Sequence, residues 1–162
     1  MPLQIRSASE ADHAFLEDMT FEAIFVRPDT EPFGREVLDD PSIRHYFAEF
    51  GRRPGDTGLV AFDGDRPVGA AWVRRFSAEH PGYGWVDEHT PELTIALAPS
   101  HRNLGLGAQL LTALFKALAE QGVVQLCLSV DDLSPARALY RRLGFVEVAE
   151  EGTAVTMLRQ LP

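Results

Sequence analysis

The sequence predicts one α/β domain of the α+β kind, a mixed and mostly antiparallel sheet of about seven strands covered by helices. Three observations carry that expectation. Strand-like and helix-like patterns follow one another in the order strand, helix, helix, strand, strand, strand, helix, strand, helix, strand, strand. A chain of 162 residues suffices for one substantial core and falls short of two ordinary domains, so residues 1–162 are read as a single unit. Residues 93–111 read without a break as an apolar strand, a glycine turn and an amphipathic helix.

Leu3-Gln4-Ile5-Arg6 alternates apolar and polar residues, the pattern of a first strand. Ser9-Glu10-Ala11-Asp12 has the form of a capping box and opens a helix through about Phe25. Along it Phe15, Met19, Ala23 and Val26 recur at helical spacing, which core packing explains without any site. Residues 27–56 are rich in Pro, Asp, Gly and Arg, with a second helix expected over 43–50. Residues 59–62 and 68–73 flank the turn Asp63-Gly64-Asp65 and form a hairpin. Residues 77–91 make a connection of a length that is unusual unless mobile or functional. Strand four is expected over 92–98, the next helix from near Leu104, and strand five over 123–130. Ser134 caps a short helix with Pro135 at its first position, and Gly144 ends it. Residues 145–148 and 153–158 then pair as the last two strands. No internal repeat, low-complexity tract or linker interrupts the chain.

The turn Arg102-Asn103-Leu104-Gly105-Leu106-Gly107-Ala108 is the most informative stretch. A helix start leaves several backbone N–H groups without carbonyl partners, all pointing one way. With the positive end of the helix dipole they form a site for a phosphate or pyrophosphate. Gly105 and Gly107 would let the backbone approach phosphate oxygens and take dihedrals that a side chain disfavours. Arg102 would add a positive charge at the rim. Three readings compete: a plain strand-to-helix turn, a nicotinamide dinucleotide fingerprint, and a coenzyme A cradle. Asp131 and Asp132 follow the next strand, roughly where a ribose-binding acid belongs. Against the dinucleotide reading, Leu110 replaces the third glycine. The 30 residues after Asp132 also cannot complete a six-stranded dinucleotide fold.

The downstream segment favours coenzyme A. Pro99-x-x-Arg102-x-x-Gly105-x-Gly107 is followed by Pro135-Ala136-x-x-Leu139-Tyr140-x-x-x-Gly144-Phe145, with one helix and one strand between them. Over roughly residues 57–150 the chain thereby resembles the GNAT superfamily of acetyl-CoA-dependent N-acetyltransferases. That resemblance implies a sheet splayed between strands four and five, with the pantetheine arm of acetyl-CoA entering the gap. Backbone groups near Leu97 would bond that arm much as an added strand would. The resemblance also implies a pyrophosphate on Arg102, Asn103, Leu104, Gly105, Leu106, Gly107 and Ala108, with Ser134 and Arg137 contributing from the second motif. Ser134 stands where relatives often carry asparagine, and its shorter reach puts that one contact in question.

Amine acetylation needs a neutral acceptor amine, a polarised thioester carbonyl and a protonated leaving thiolate. The resemblance places Tyr140 beside the coenzyme sulfur, and a phenol can donate a proton at neutral pH. The alternative is a tyrosine that closes the helix against the core. Glu92 opens strand four, near where several family members keep a glutamate acting as base, directly or through water. Partial desolvation there would raise its pKa toward neutrality. The alternative is a solvated strand end, and Asp87, Glu88 and His89 on the preceding loop are rival bases. His101 lies beside the phosphate turn and is expected to face solvent or phosphate, not the amine. No histidine, cysteine or carboxylate cluster has metal-ligand spacing, so no metal is expected.

Composition bounds the rest. Hydrophobic residues at 45% and charged residues at 24% describe a soluble globular protein. The net charge of −9 argues against a nucleic-acid or anionic-membrane binder and is compatible with steering a cationic amine. A negative surface that simply maintains solubility is the plainer account. Carboxylates gather at Asp29 and Glu31, Asp39-Asp40 and Asp87-Glu88, and arginines at 137, 141 and 142. Such asymmetry would suit an anionic cofactor on one side and a cationic acceptor on the other. Cys127, the single cysteine, sits in an apolar run as a buried structural thiol, which fits a reducing cytoplasm. Met1-Pro2-Leu3-Gln4-Ile5-Arg6 carries no signal-peptide core, and no apolar stretch is long enough to span a bilayer. A cytoplasmic acetyltransferase acting on a small-molecule or protein amine is expected. Its rival is a non-catalytic acyl-CoA-binding sensor or scaffold. The acceptor and the oligomeric state, a homodimer included, are open at this point.

Overall fold

A computed structural model describes residues 3–162; Met1 and Pro2, which head the N-terminal segment read above, lie outside the described residues. The strands are β1 (Leu3–Ser7), β2 (Thr57–Asp63), β3 (Arg66–Arg74), β4 (Glu92–Leu97), β5 (Gln125–Asp131), β6 (Val146–Glu151) and β7 (Ala154–Gln160). They form one seven-stranded sheet in the order β1-β2-β3-β4-β5-β7-β6. All neighbours are antiparallel except β4 and β5, which run parallel. The helices are α1 (His13–Ala23), α2 (Pro41–Arg44), α3 (Leu106–Glu120) and α4 (Ala136–Arg142).

Period-two alternation divides the core between the two faces of the sheet. In β3, Ala71 and Val73 pack with α3, whereas Ala70 and Trp72 pack with α1. In β2, Leu59 and Ala61 share the first face and Val60 the second. Helix α3 presents Leu106, Leu110, Leu111, Leu114 and Leu118, each no more than 1% exposed, as a stripe at helical spacing. Burying five leucines contributes on the order of 10 kcal/mol before chain entropy is subtracted. This anchoring fixes the N-terminus of α3, and with it the glycine turn, against the end of β4.

The expected capping box opens a 3-10 turn, Glu10–Asp12, that runs directly into α1. Ser9 Oγ accepts from the Ala11 N–H at 3.3 Å, and Asp12 Oδ2 accepts from the Ser9 N–H at 2.8 Å. The helix stops at Ala23 because Ile24 turns extended, with ψ 115°. Its buried face is therefore Leu16, Met19 and Thr20, while Ala23 and Val26 of the expected stripe are exposed. The helix expected over 43–50 is also short. Arg74, 1% exposed, pairs with Asp56 at 2.9 Å and donates to the carbonyls of His45 and Ala48. Those carbonyls would be acceptors in a continuing helix. The guanidinium takes them, and the chain proceeds through turns to Phe50.

The sheet is split where β4 meets β5. Their register contains one pair, Glu92 opposite Cys127, supported by the Cys127 N–H donating to Pro91 O at 3.0 Å. Beyond that pair the strands diverge toward Leu97, which gives the splay expected between the fourth and fifth strands.

Candidate active site

The glycine turn forms at the open end of this split. Gly105 occupies the left-handed region at φ 83° and precedes the first residue of α3, Leu106 rather than Leu104. Asn103 is left-handed as well, at φ 62°. Gln109 donates to Gly105 O at 3.2 Å, so the N–H groups of Leu106, Gly107 and Ala108 precede the first helical bond and have no acceptor within the helix. Gly107 corrects one expectation, because it sits in the first turn of the helix and is not among the glycines with positive φ. What matters at this position is space. A Cβ there would lie 3.4 Å from Leu139 Cδ2 and 3.9 Å from Leu97 Cδ1, in the gap between β4 and α4. An open backbone of this kind fits a diphosphate cradle.

The arginines are less free than their positions in the sequence suggest. Arg102 donates to Leu97 O at 3.2 Å and to Glu22 Oε1 at 3.0 Å, so it ties α1 to the turn. Arg137 donates to Glu147 Oε1 at 2.7 Å and to Asp132 O at 3.0 Å, and Arg141 bonds the same Glu147 oxygen. Together the two guanidinium groups hold the Glu147 carboxyl at about 2. Ser134 Oγ accepts from the Ala136 N–H at 3.2 Å, but the N-cap is Pro135 and the helix starts at Ala136, one residue later than expected.

A cleft of about 790 Å³ occupies the split, and Leu97, Arg102, Gly107, Ser134, Tyr140 and Glu92 all line it. Asn103, Leu104, Gly105, Leu106, Ala108 and Arg137 do not line it, and frame the turn or the flank of α4 instead. Tyr140 is 8% exposed, with its ring edge-on to Phe145 at 5.8 Å. Burial pushes its phenol up to about 12, so the hydroxyl stays protonated at neutral pH. No hydrogen bond to that hydroxyl is found among the described residues.

Glu92 is 3% exposed, which replaces the solvated strand end by a buried carboxyl. Burial pushes it up to about 7, against the lowering effect of hydrogen bonds from Tyr46 and the Gly84 backbone. Both bonds fall on Oε2, the one from the Gly84 N–H at 3.2 Å. Oε1 is buried and has no partner among the described residues. Gly82 leaves room for it, since a Cβ there would stand 2.2 Å from Oε1.

The rival bases lie elsewhere. Glu88 and His89 are exposed, and Asp87 Oδ1 accepts from the N–H groups of His89 and Thr90 to shape its own turn. His101 bonds Asp63 Oδ2 at 2.9 Å, and burial pushes the Cys127 thiol up so that it stays protonated. Spacing could not reveal Tyr46, which reaches Glu92 from a distant segment, or Gly82 and Gly84, which meet it from the preceding loop. Tyr46 lies 46 positions away in sequence and reads there as one more aromatic residue of an apolar stretch.

The split parallel pair, the open helix start and the buried carboxyl together place the chain in a known class. It belongs to the acetyltransferase (GNAT) family, whose model matches residues 18–145. Among curated proteins it is 33% identical over 113 residues to the mycothiol acetyltransferase of Kocuria rhizophila, covering 69% of this chain and 36% of that one. It is 31% identical over 126 residues to the enzyme of the same name from Streptomyces scabiei, covering 77% of this chain and 36% of that one. The chain thus spans about a third of the length of these relatives. Among solved structures, PaiA N-acetyltransferase of Thermoplasma acidophilum in complex with coenzyme A superposes with a TM-score of 0.70 at 18% identity, covering 99% of each chain. Ribosomal-protein-alanine N-acetyltransferase of Brucella melitensis gives a TM-score of 0.68 at 26% identity, covering 98% of this chain and 99% of that one. Among the described residues no helix is long and apolar enough to cross a membrane.

Proposed function

We propose that this chain is a cytoplasmic enzyme that moves the acetyl group of acetyl-CoA to a primary amine by direct attack in a ternary complex. The observation that carries the reading is the pairing of Glu92, buried with one oxygen unpartnered, with Tyr140 on the walls of one cleft that ends at the glycine turn. The N–H groups at 106–108 hold the pyrophosphate, and the free edge of β4 bonds the pantetheine arm. Gly107 keeps the entry clear, with Ser134 and the Arg102 and Arg137 side chains at its margins. Acetyl-CoA supplies the thioester whose C–S bond breaks as the amine nitrogen forms its bond to the carbonyl carbon. Glu92 takes the proton that the amine loses, directly or through water, and Tyr140 gives its proton to the departing thiolate. Both groups then exchange with solvent.

Names of similar proteins support the cosubstrate, since solved neighbours hold coenzyme A or acetyl-CoA. The experiment is a steady-state assay of CoA release across pH with wild type and Glu92→Gln. With a carboxyl at about 7, wild-type turnover falls as pH drops below that value, because the base is then protonated. Glu92→Gln abolishes that limb. Tight acetyl-CoA binding with no release of CoA to any amine would favour the non-catalytic acyl-CoA-binding module instead.

A further inference from the structure

Resting on the acetyl-transfer reading of this cleft, we propose that its acceptor is a small primary amine on an aromatic or branched apolar body, with no second cationic group. The wall facing the cofactor side comes from the end of α1, the segment after it and the loop before β4. Phe21, Ile24, Phe25, Val26, Phe33 and Tyr83 supply its side chains. Val26, Phe33 and Tyr83 are 39%, 51% and 57% exposed, so the fold leaves large apolar groups facing solvent at this mouth. Apolar surface gathered at a concave site marks a place where an apolar ligand is covered.

The polar groups of the same wall are already engaged. Thr20 Oγ1 donates to Leu16 O at 2.8 Å, and Glu22 holds Arg102. Tyr83 Oη and Ser42 Oγ share a hydrogen bond at 2.8 Å, and Tyr46 bonds Glu92 while accepting from the Tyr83 N–H. At the far end Asp131 pairs with Arg27 at 2.6 Å. In two of the acidic clusters one carboxylate shapes its own turn, Asp40 by accepting from the Ser42 N–H and Asp87 from those of His89 and Thr90. Among the described residues, the buried carboxyl oxygen that this cleft leaves unpartnered is Glu92 Oε1. One carboxyl oxygen in an apolar frame recognises one amine. A second ammonium would enter without a counter-charge and lose its water.

Calorimetric titration of the coenzyme A complex with 2-phenylethylamine, ethylamine, spermidine and an alanine-led tetrapeptide tests this, with CoA release from acetyl-CoA followed in parallel. 2-Phenylethylamine is expected to bind at least tenfold more tightly than each of the other three. The double variant Phe25→Ala with Phe33→Ala should erase most of that preference. Preferential binding without CoA release from any amine would support the ligand class and overturn the acetyl-transfer reading. CoA release that runs best with spermidine or the peptide, or equal affinity for all four, would overturn the ligand class and leave the reaction standing. Absence of binding by 2-phenylethylamine also overturns it.

Discussion

Tyr46 donates its phenolic hydrogen to Glu92 Oε2 and accepts on the same oxygen from the Tyr83 N–H at 2.6 Å. This one hydroxyl joins the 82–84 loop to the carboxyl at the start of β4 and leaves Oε1 without a partner among the described residues. Because the bond lowers the Glu92 pKa against the effect of burial, Tyr46 sets the pH range in which the carboxyl is ionised. Tyr46→Phe should therefore move the acidic limb of the pH–rate profile to higher pH. A pH titration of kcat, with KM for acetyl-CoA followed alongside, separates this from a merely structural loss, which would leave the limb in place.

Glu92 also ties stability to pH. Its folded pKa of about 7 lies above the ordinary 4.5, so between those values the folded chain binds more protons than the unfolded chain. Stability then falls as pH rises through that window, and the penalty above it is about 3 kcal/mol. Glu92→Gln keeps the shape without the ionisation. It should be more stable than wild type at pH 8.5, and the difference should nearly close at pH 5. Urea unfolding at the two pH values checks both the sign and the convergence.

Tyr140→Phe removes only the hydroxyl from a ring held against Phe145. Acetyl-CoA affinity should stay within about twofold, while turnover falls on the order of a hundredfold, the scale of general acid catalysis. Single-turnover kinetics with acetyl-CoA saturating read the chemical step directly, and an unchanged rate would return Tyr140 to a core role.

Gly107→Val would place its methyl groups in the gap toward Leu139 and Leu97 without straining the backbone, since this residue is helical. The fold should survive while acetyl-CoA binding weakens more than tenfold, about 1.4 kcal/mol or greater. Circular dichroism with calorimetry on the same sample distinguishes a blocked cradle from a lost fold.

Arg137 and Arg141 share the Glu147 carboxylate, so that carboxylate competes with any phosphate for the α4 flank. Glu147→Gln should free both guanidinium groups and tighten acetyl-CoA binding several-fold at low salt. The gain should shrink as ionic strength rises, as screening requires. Affinity measured at two salt concentrations gives the result.

The parts of the fold legible in the sequence are those written in local pattern. Gly105 and the leucine stripe of α3 announce a turn and a helix within 15 residues, and period-two alternation marks the strands on either side. Tyr140 and the turn could be assigned to one site because two motifs of the resemblance link them, and Glu92 joined them only as a strand-opening acid near where several family members keep a glutamate. Their partners could not be assigned. Tyr46 matters through a contact across the fold and Gly82 through one along the preceding loop, and neither type of residue signals that locally. Arg74 likewise reads as a strand residue, yet it shortens α2 by taking the carbonyls of His45 and Ala48. The charge clusters misled for the same reason. Asp40, Asp87 and Glu147 look like free surface charge until their hydrogen-bond partners are known.

The single pairing of Glu92 with Cys127 makes β4 a ruler. Glu92 lies at the closed apex of the wedge and Leu97 at its open mouth, five steps of about 3.3 Å, so roughly 17 Å separate the carboxyl from the cradle end. On the acetyl-transfer proposal, the depth at which an extended arm delivers its reactive carbon is thereby written in a residue count. One residue inserted in β4 would lengthen that span by about 3.3 Å and turn the Glu92 carboxyl to the opposite face of the sheet. The length of this cleft is metered by backbone, and side chains can refine the distance only after the strand has set it.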